Sequence, residues 1–242
     1  MTSFHRPLAA LIISTQLIGF TIGQANSSSI IPGVEFAQNV QAKAVTATTP
    51  ADSLVAGAEI FENITENSPE LDSTAFNELM AKFEELHPVI SEQMTPERRN
   101  HLERLLTGLR KSWQKRDRGS MAIQSIEIYR LLQESINHAN QLVPAEVPLL
   151  DYAGFKIKAL LISKHPDWEQ VRRTAHEATL WWDSINQRVV DHSLRDAMDR
   201  TIVGINEASS MKDIRLLTFA AEMDLILVDG LESFFNSGPQ NR

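Results

Sequence analysis

The chain has 242 residues, a net charge of −8 and no cysteine. The missing thiols exclude disulfide bracing, thiolate catalysis, Cys-ligated zinc, iron–sulfur clusters and c-type haem attachment, so apolar burial must hold the fold together. The excess of acids gives no global attraction to nucleic acid.

Residues 1–7 form a short polar start with one fixed positive charge, Arg6. Residues 8–22 are an apolar stretch interrupted by Ser14, Thr15 and Gln16, and Gly23, Gln24 and Ala25 then supply the small residues that a signal peptidase reads. A stretch of about 15 residues falls short of the roughly 20 that cross a bilayer as a helix. We therefore expect residues 1–25 to be a signal peptide cut between Ala25 and Asn26. The expected destination is the periplasm, with secretion as the alternative and retention as an anchor as the lesser reading. No later segment is apolar enough to span a membrane, and no Cys follows the signal to take a lipid.

Residues 26–72 hold seven acids against one base, Lys43, with Pro32, Pro50 and Pro69 scattered among Ser, Thr, Ala and Asn. That composition predicts a flexible acidic linker. Within it a short helix at about 51–64 is conceivable, docking through Leu54, Val55, Ala58, Phe61 and Ile64. Residues 73–242 are nearly balanced in charge and of ordinary single-domain size, and their apolar period is helical throughout.

The spacing predicts seven helices in this domain. The first, about 73–87, carries Phe76, Leu79, Met80, Phe83 and Leu86 and is ended or kinked by Pro88. Thr95 caps the second, which starts with Pro96 and buries Leu102, Leu105, Leu106, Leu109 and Trp113. The third spans about 120–142 and the fourth about 146–163. Asp167 and Gln170 form a capping box on the fifth, whose stripe runs from Trp168 through Trp182 to Val189. A phase shift of about 150° between that stripe and the face of Leu194, Ala197, Met198 and Ile205 predicts a break near 190–193. The last helix, about 211–235, is apolar over most of its circumference and is expected to be surrounded by the others. The expected fold is an all-α up-down bundle or a stack of helical hairpins with that last helix central.

Chemistry is sought among polar groups inside apolar stripes. His87 follows Met80 by seven and Phe83 by four, so it either bonds a helix-end carbonyl or, with Met80, holds a metal or haem iron. Asp224 has apolar neighbours at three and four residues and must be paired, metal-bound or protonated. Asn140 lies in the third helix's stripe near its end. Asp151 is expected to form an internal ion pair with Lys158. No His-Glu-x-x-His, nucleophile or phosphate-loop motif occurs. On the surface, Arg104, Lys111, Lys115 and Arg118 lie along one side of the second helix and its end. With Arg98, Arg99, Arg110 and Arg116 they make eight bases between residues 98 and 118. Such a face suits an acidic partner, an anionic surface or the chain's own acidic leader, and Trp181 at the edge of its stripe is a further contact candidate. These features point first to an exported, non-enzymatic protein that binds a partner protein or a small ligand. The second reading is a metal- or haem-binding bundle using His87, Met80 and Asp224, and the third is an enzyme without a recognisable motif.

Overall fold

A computed structural model describes residues 50–237; the signal-peptide segment and most of the expected linker lie outside them. The described residues form eight α-helices and two single 3-10 turns, with no strand among them. The helices are α1 (Pro50–Asn67), α2 (Ser73–Glu92), α3 (Pro96–Gln114), α4 (Arg118–Gln133), α5 (Glu146–Leu161), α6 (Trp168–Ile185), α7 (His192–Met211) and α8 (Ile214–Asn236).

Local chemistry explains where these helices start. Five of them begin on an aspartate whose carboxylate accepts from free first-turn amides: Asp72, Asp117, Asp167, Asp191 and Asp213. Thr95 does the same for α3, with Pro96 in its first turn. At α6 Asp167 caps as expected, but Gln170 Nε2 donates to the Asp167 carboxylate at 2.8 Å instead of accepting from the Asp167 amide as in a capping box. The break expected between α6 and α7 is present but begins earlier than 190–193, at a 3-10 turn over Asn186–Arg188, and runs to the Asp191 cap.

Four sequence expectations change. The helical body begins at residue 50 rather than 73. Leu54, Ala58, Phe61 and Ile64 of α1 are all at most 2% exposed, because its acids Asp52, Glu59 and Glu66 fall off the buried stripe. The described residues therefore hold eight α-helices, α1 in addition to the seven from residue 73 onward. Pro88 does not end α2, which continues to Glu92. Ile90, fully buried two residues beyond, rewards the extra turn. The third expected helix ends at Gln133 rather than 142, leaving Ile136 buried and a 3-10 turn at His138–Asn140.

The central element is α5, not the last helix. Twelve of its sixteen residues are buried, and it packs against α1, α4, α6 and α8. By contrast α8 packs on α5 and α7 and leaves Phe219 and Ile226 60% and 57% exposed. An apolar composition was read as burial, but part of α8 faces outward. One core cluster joins α1–α4 to Tyr152 and Phe155 of α5, and two others fill the space among α5, α6, α7 and α8. Thus α5 belongs to both halves. Gly154 permits its close approach to α8, since a Cβ there would lie 2.7 Å from Leu225 Cδ2 and 2.8 Å from Asp224 Oδ2.

Two predictions follow from this packing. Phe61→Ala should cost about 3–5 kcal/mol, the usual penalty for emptying a buried phenyl site; a change near zero in denaturant unfolding would return residues 50–67 to the linker. At the end of α7, Lys212 holds φ 58°, a left-handed conformation that costs a side-chain-bearing residue about 1 kcal/mol. Lys212→Gly should therefore raise the midpoint of thermal unfolding by a few degrees.

Candidate functional site

The outer face of α3 is the strongest concentration of unpaired charge among the sequence candidates. Its inner face is fixed by Leu102, Leu105, Leu106 and Leu109, all buried, which forces Arg104, Lys111 and Lys115 outward. All three are exposed, and no salt bridge among the described residues involves them. Spacings of seven and four place them in one line along the helix.

Three other bases of the same segment, Arg98, Arg110 and Arg118, are engaged internally, while Arg99 and Arg116 are exposed. Arg98 Nη1 donates to the carbonyl of Glu134 at 2.7 Å and to Ser135 Oγ at 3.2 Å, closing the end of α4. Arg110 pairs with Glu84 of α2. Arg118 is half-buried, with its guanidinium 5.0 Å from the ring centre of Trp113. That indole in turn stacks on Phe76 at 4.1 Å. Arg118 therefore braces α3 against α4 and contributes less to the outer line than its spacing suggested.

Trp181 is half-buried rather than projecting. Its ring meets Tyr152 edge-on at 6.1 Å, and the Arg130 guanidinium lies 5.0 Å from Tyr152 and 5.5 Å from Trp181. Arg130 also donates to Glu134 at 2.7 Å and to Glu177 at 3.2 Å, tying α4 to α6. Beside it, Glu127 Oε1 accepts from Lys156 Nζ at 2.6 Å and from the Tyr152 hydroxyl at 3.0 Å. Burial, and then the Glu127 carboxylate, push the Tyr152 hydroxyl well above its ordinary pKa, so it remains a donor. Spacing along one chain gave no sign of this α4–α5–α6 network, because its partners come from separate helices.

The buried polar candidates separate. Asp151 is 6% exposed and accepts from the Tyr129 hydroxyl of α4 at 3.2 Å. The buried lysine of α5 is Lys156, paired with Glu127, whereas Lys158 borders a surface depression. Asn140 closes the 3-10 turn, and its side chain lies outside what is described. Met80 sits in the α2 core at 8% exposure. His87 stands 5.4 Å from the ring of Phe83. Its Nε2 lies 2.9 Å from Glu103 Oε1 of α3 but outside hydrogen-bond alignment.

Asp224 sits on α8 against Gly154 of α5, apart from the His87–Glu103 pair. No group of three or more His, Asp or Glu fit to hold a metal occurs among the described residues. His87, Met80 and Asp224 thus do not form one coordination sphere. Asp224 is fully buried, and neither carboxyl oxygen has a hydrogen-bond partner among the described residues. Burial drives its pKa far above the ordinary Asp value. Only the main chain of Gly154, near but short of hydrogen-bond geometry, pulls the other way. Of the three outcomes open to such a carboxyl, the surroundings favour protonation.

Two depressions mark the described surface. One of about 240 Å³ is lined by Arg98, Gln133, Glu134, His138, Ala145 and Leu149. The other, of about 90 Å³, lies where Ser68 and Pro69 meet Phe155 and Lys158. No family model, curated protein or solved structure matches the chain. Among the described residues no helix is long and apolar enough to cross a membrane.

The Asp224 geometry sets a pH dependence. Its folded-state pKa is raised, so the stability it permits is complete below the ordinary Asp range near 4 and declines as pH climbs toward the folded value. Asp224→Asn cannot ionise and should flatten this decline, raising the unfolding midpoint at neutral pH more than at pH 4. An equal effect at both pH values in denaturant titrations would show that folding does not raise the pKa of Asp224.

Proposed function

We propose that this chain is an exported, non-catalytic helical protein that docks an acidic partner protein on the outer face of α3. The observation that carries the reading is the line of Arg104, Lys111 and Lys115, exposed and without an ion-pair partner among the described residues, whereas Arg110 pairs with Glu84 and Arg98 bonds the end of α4. Long-range attraction from such a line speeds encounter with an acidic surface. A protein partner is preferred to a small ligand because the three cations lie exposed along a helix face rather than lining a concavity. Export rests on residues 1–25, whose order of charge, apolar stretch and small residues suits a cleaved signal and a periplasmic address.

Lys111→Glu combined with Lys115→Glu tests the surface. Both side chains are exposed, so helicity by circular dichroism should be unchanged. The host protein retained by the wild-type chain should be lost, and wild-type retention should weaken as salt rises. Retention equal to wild type, or insensitive to salt, would reject α3 as the docking face.

A further inference from the structure

A second surface, on α8, is independent of the α3 reading. Among the described residues, five of the eleven exposed large apolar side chains fall between residues 211 and 226: Met211, Ile214, Leu216, Phe219 and Ile226. Leu216, Phe219, half-buried Met223 and Ile226 follow one another at intervals of three, four and three, the seam of a coiled coil. The opposite side of α8 is filled by Leu217, Ala221, Asp224 and Val228, all buried, so the helix cannot turn this seam inward. An apolar strip of this kind on an otherwise polar surface marks an association site.

The charges beside the seam select the occupant. Arg215, Glu222 and Asp229 occupy one flank at seven-residue intervals and are exposed. The geometry points to α8 pairing antiparallel with α8 of a second copy of this chain. With Leu216 set against the copy's Ile226, and Phe219 against its Met223, each Arg215 falls beside the copy's Asp229 at both ends of the seam. Two-fold symmetry makes a surface complementary to itself in this way. Glu222 then meets its own counterpart near the axis and weakens the pairing. A seam of about three turns buries on the order of 1,000 Å² in total, the lower end for specific association, so the dimer dissociates on dilution.

The test uses the full processed chain in sedimentation equilibrium across a range of concentrations. Wild type should show a monomer–dimer equilibrium that Phe219→Glu abolishes and Glu222→Gln tightens, with helicity unchanged because both side chains face solvent. Arg215→Asp alone and Asp229→Arg alone should each weaken association at least tenfold. Mixing these two variants should restore it, since the mixed pair places opposite charges at both ends. Because the chain lacks cysteine, Glu222→Cys should yield a disulfide-linked dimer on mild oxidation. Monomer at every concentration, with the seam covered by a host protein or lipid instead, would overturn the proposal. Dimerisation indifferent to Phe219→Glu, or no restoration on mixing, would overturn it equally. Each readout addresses one surface, self-association for α8 and salt-sensitive retention for α3, so failure of one is distinguishable from failure of the other.

Discussion

The structure depends on the burial of α5. A helix with almost no outer face must find a partner for every polar group it carries into the interior, since an unmet one costs several kcal/mol. Asp151, Tyr152 and Lys156 all lie on it, and α4 answers them with the Tyr129 hydroxyl and the Glu127 carboxylate. An apolar seam alone tolerates a slip of one turn at modest cost. These directional bonds permit one register of α4 on α5, the use for which buried polar pairs are best attested. Because α1–α3 pack around α4 while α6 and α8 pack on α5, that register places the first half of the fold against the second.

The same requirement explains Gly154. Any side chain there would strike Leu225 and Asp224, so glycine is what brings α8 onto the spine. Asp224 enters the core at this contact without a hydrogen-bond partner. A neutral carboxyl is a small cost beside the burial of Leu225 and Val228 on either side of it. It nonetheless makes the α5–α8 contact the place where the fold is sensitive to base.

The features legible in the sequence were local. Caps at Thr95 and Asp167, the stripes of α2–α7 and a break between α6 and α7 all follow from interactions within one turn or one helix. The order of burial among helices was not legible. The apolar run of α8 looks the same whether its neighbours are helices of this chain or something else, whereas α5 looks less buried because it carries Asp151 and Lys156. The α1 stripe of Leu54, Ala58, Phe61 and Ile64 had helical spacing, but the acids and prolines around it resembled a linker. For the candidate site, spacing found the cation line of α3. It could not foresee that Arg98 and Arg110 are met by Glu134 of α4 and Glu84 of α2, since both contacts span more than twenty residues. It also placed Trp181 near the surface without disclosing Arg130 above it.

Charged groups near the core are taken up in the Glu127–Lys156 pair and the Arg130 network. The two prominent surface features sit in different halves: the cations of α3, which packs on α4, and the apolar seam of α8, which packs on α5 and α7. They do not compete for one partner. A pair of chains joined through α8 carries two α3 faces fixed relative to each other by the α4–α5 register. An acidic partner with repeated sites at the matching separation then engages the second face as an intramolecular event, and avidity can exceed either single affinity by 10²–10⁴. Three exposed cations make a weak contact alone. Pairing through α8 is a physical route by which so modest a charged face becomes a selective one.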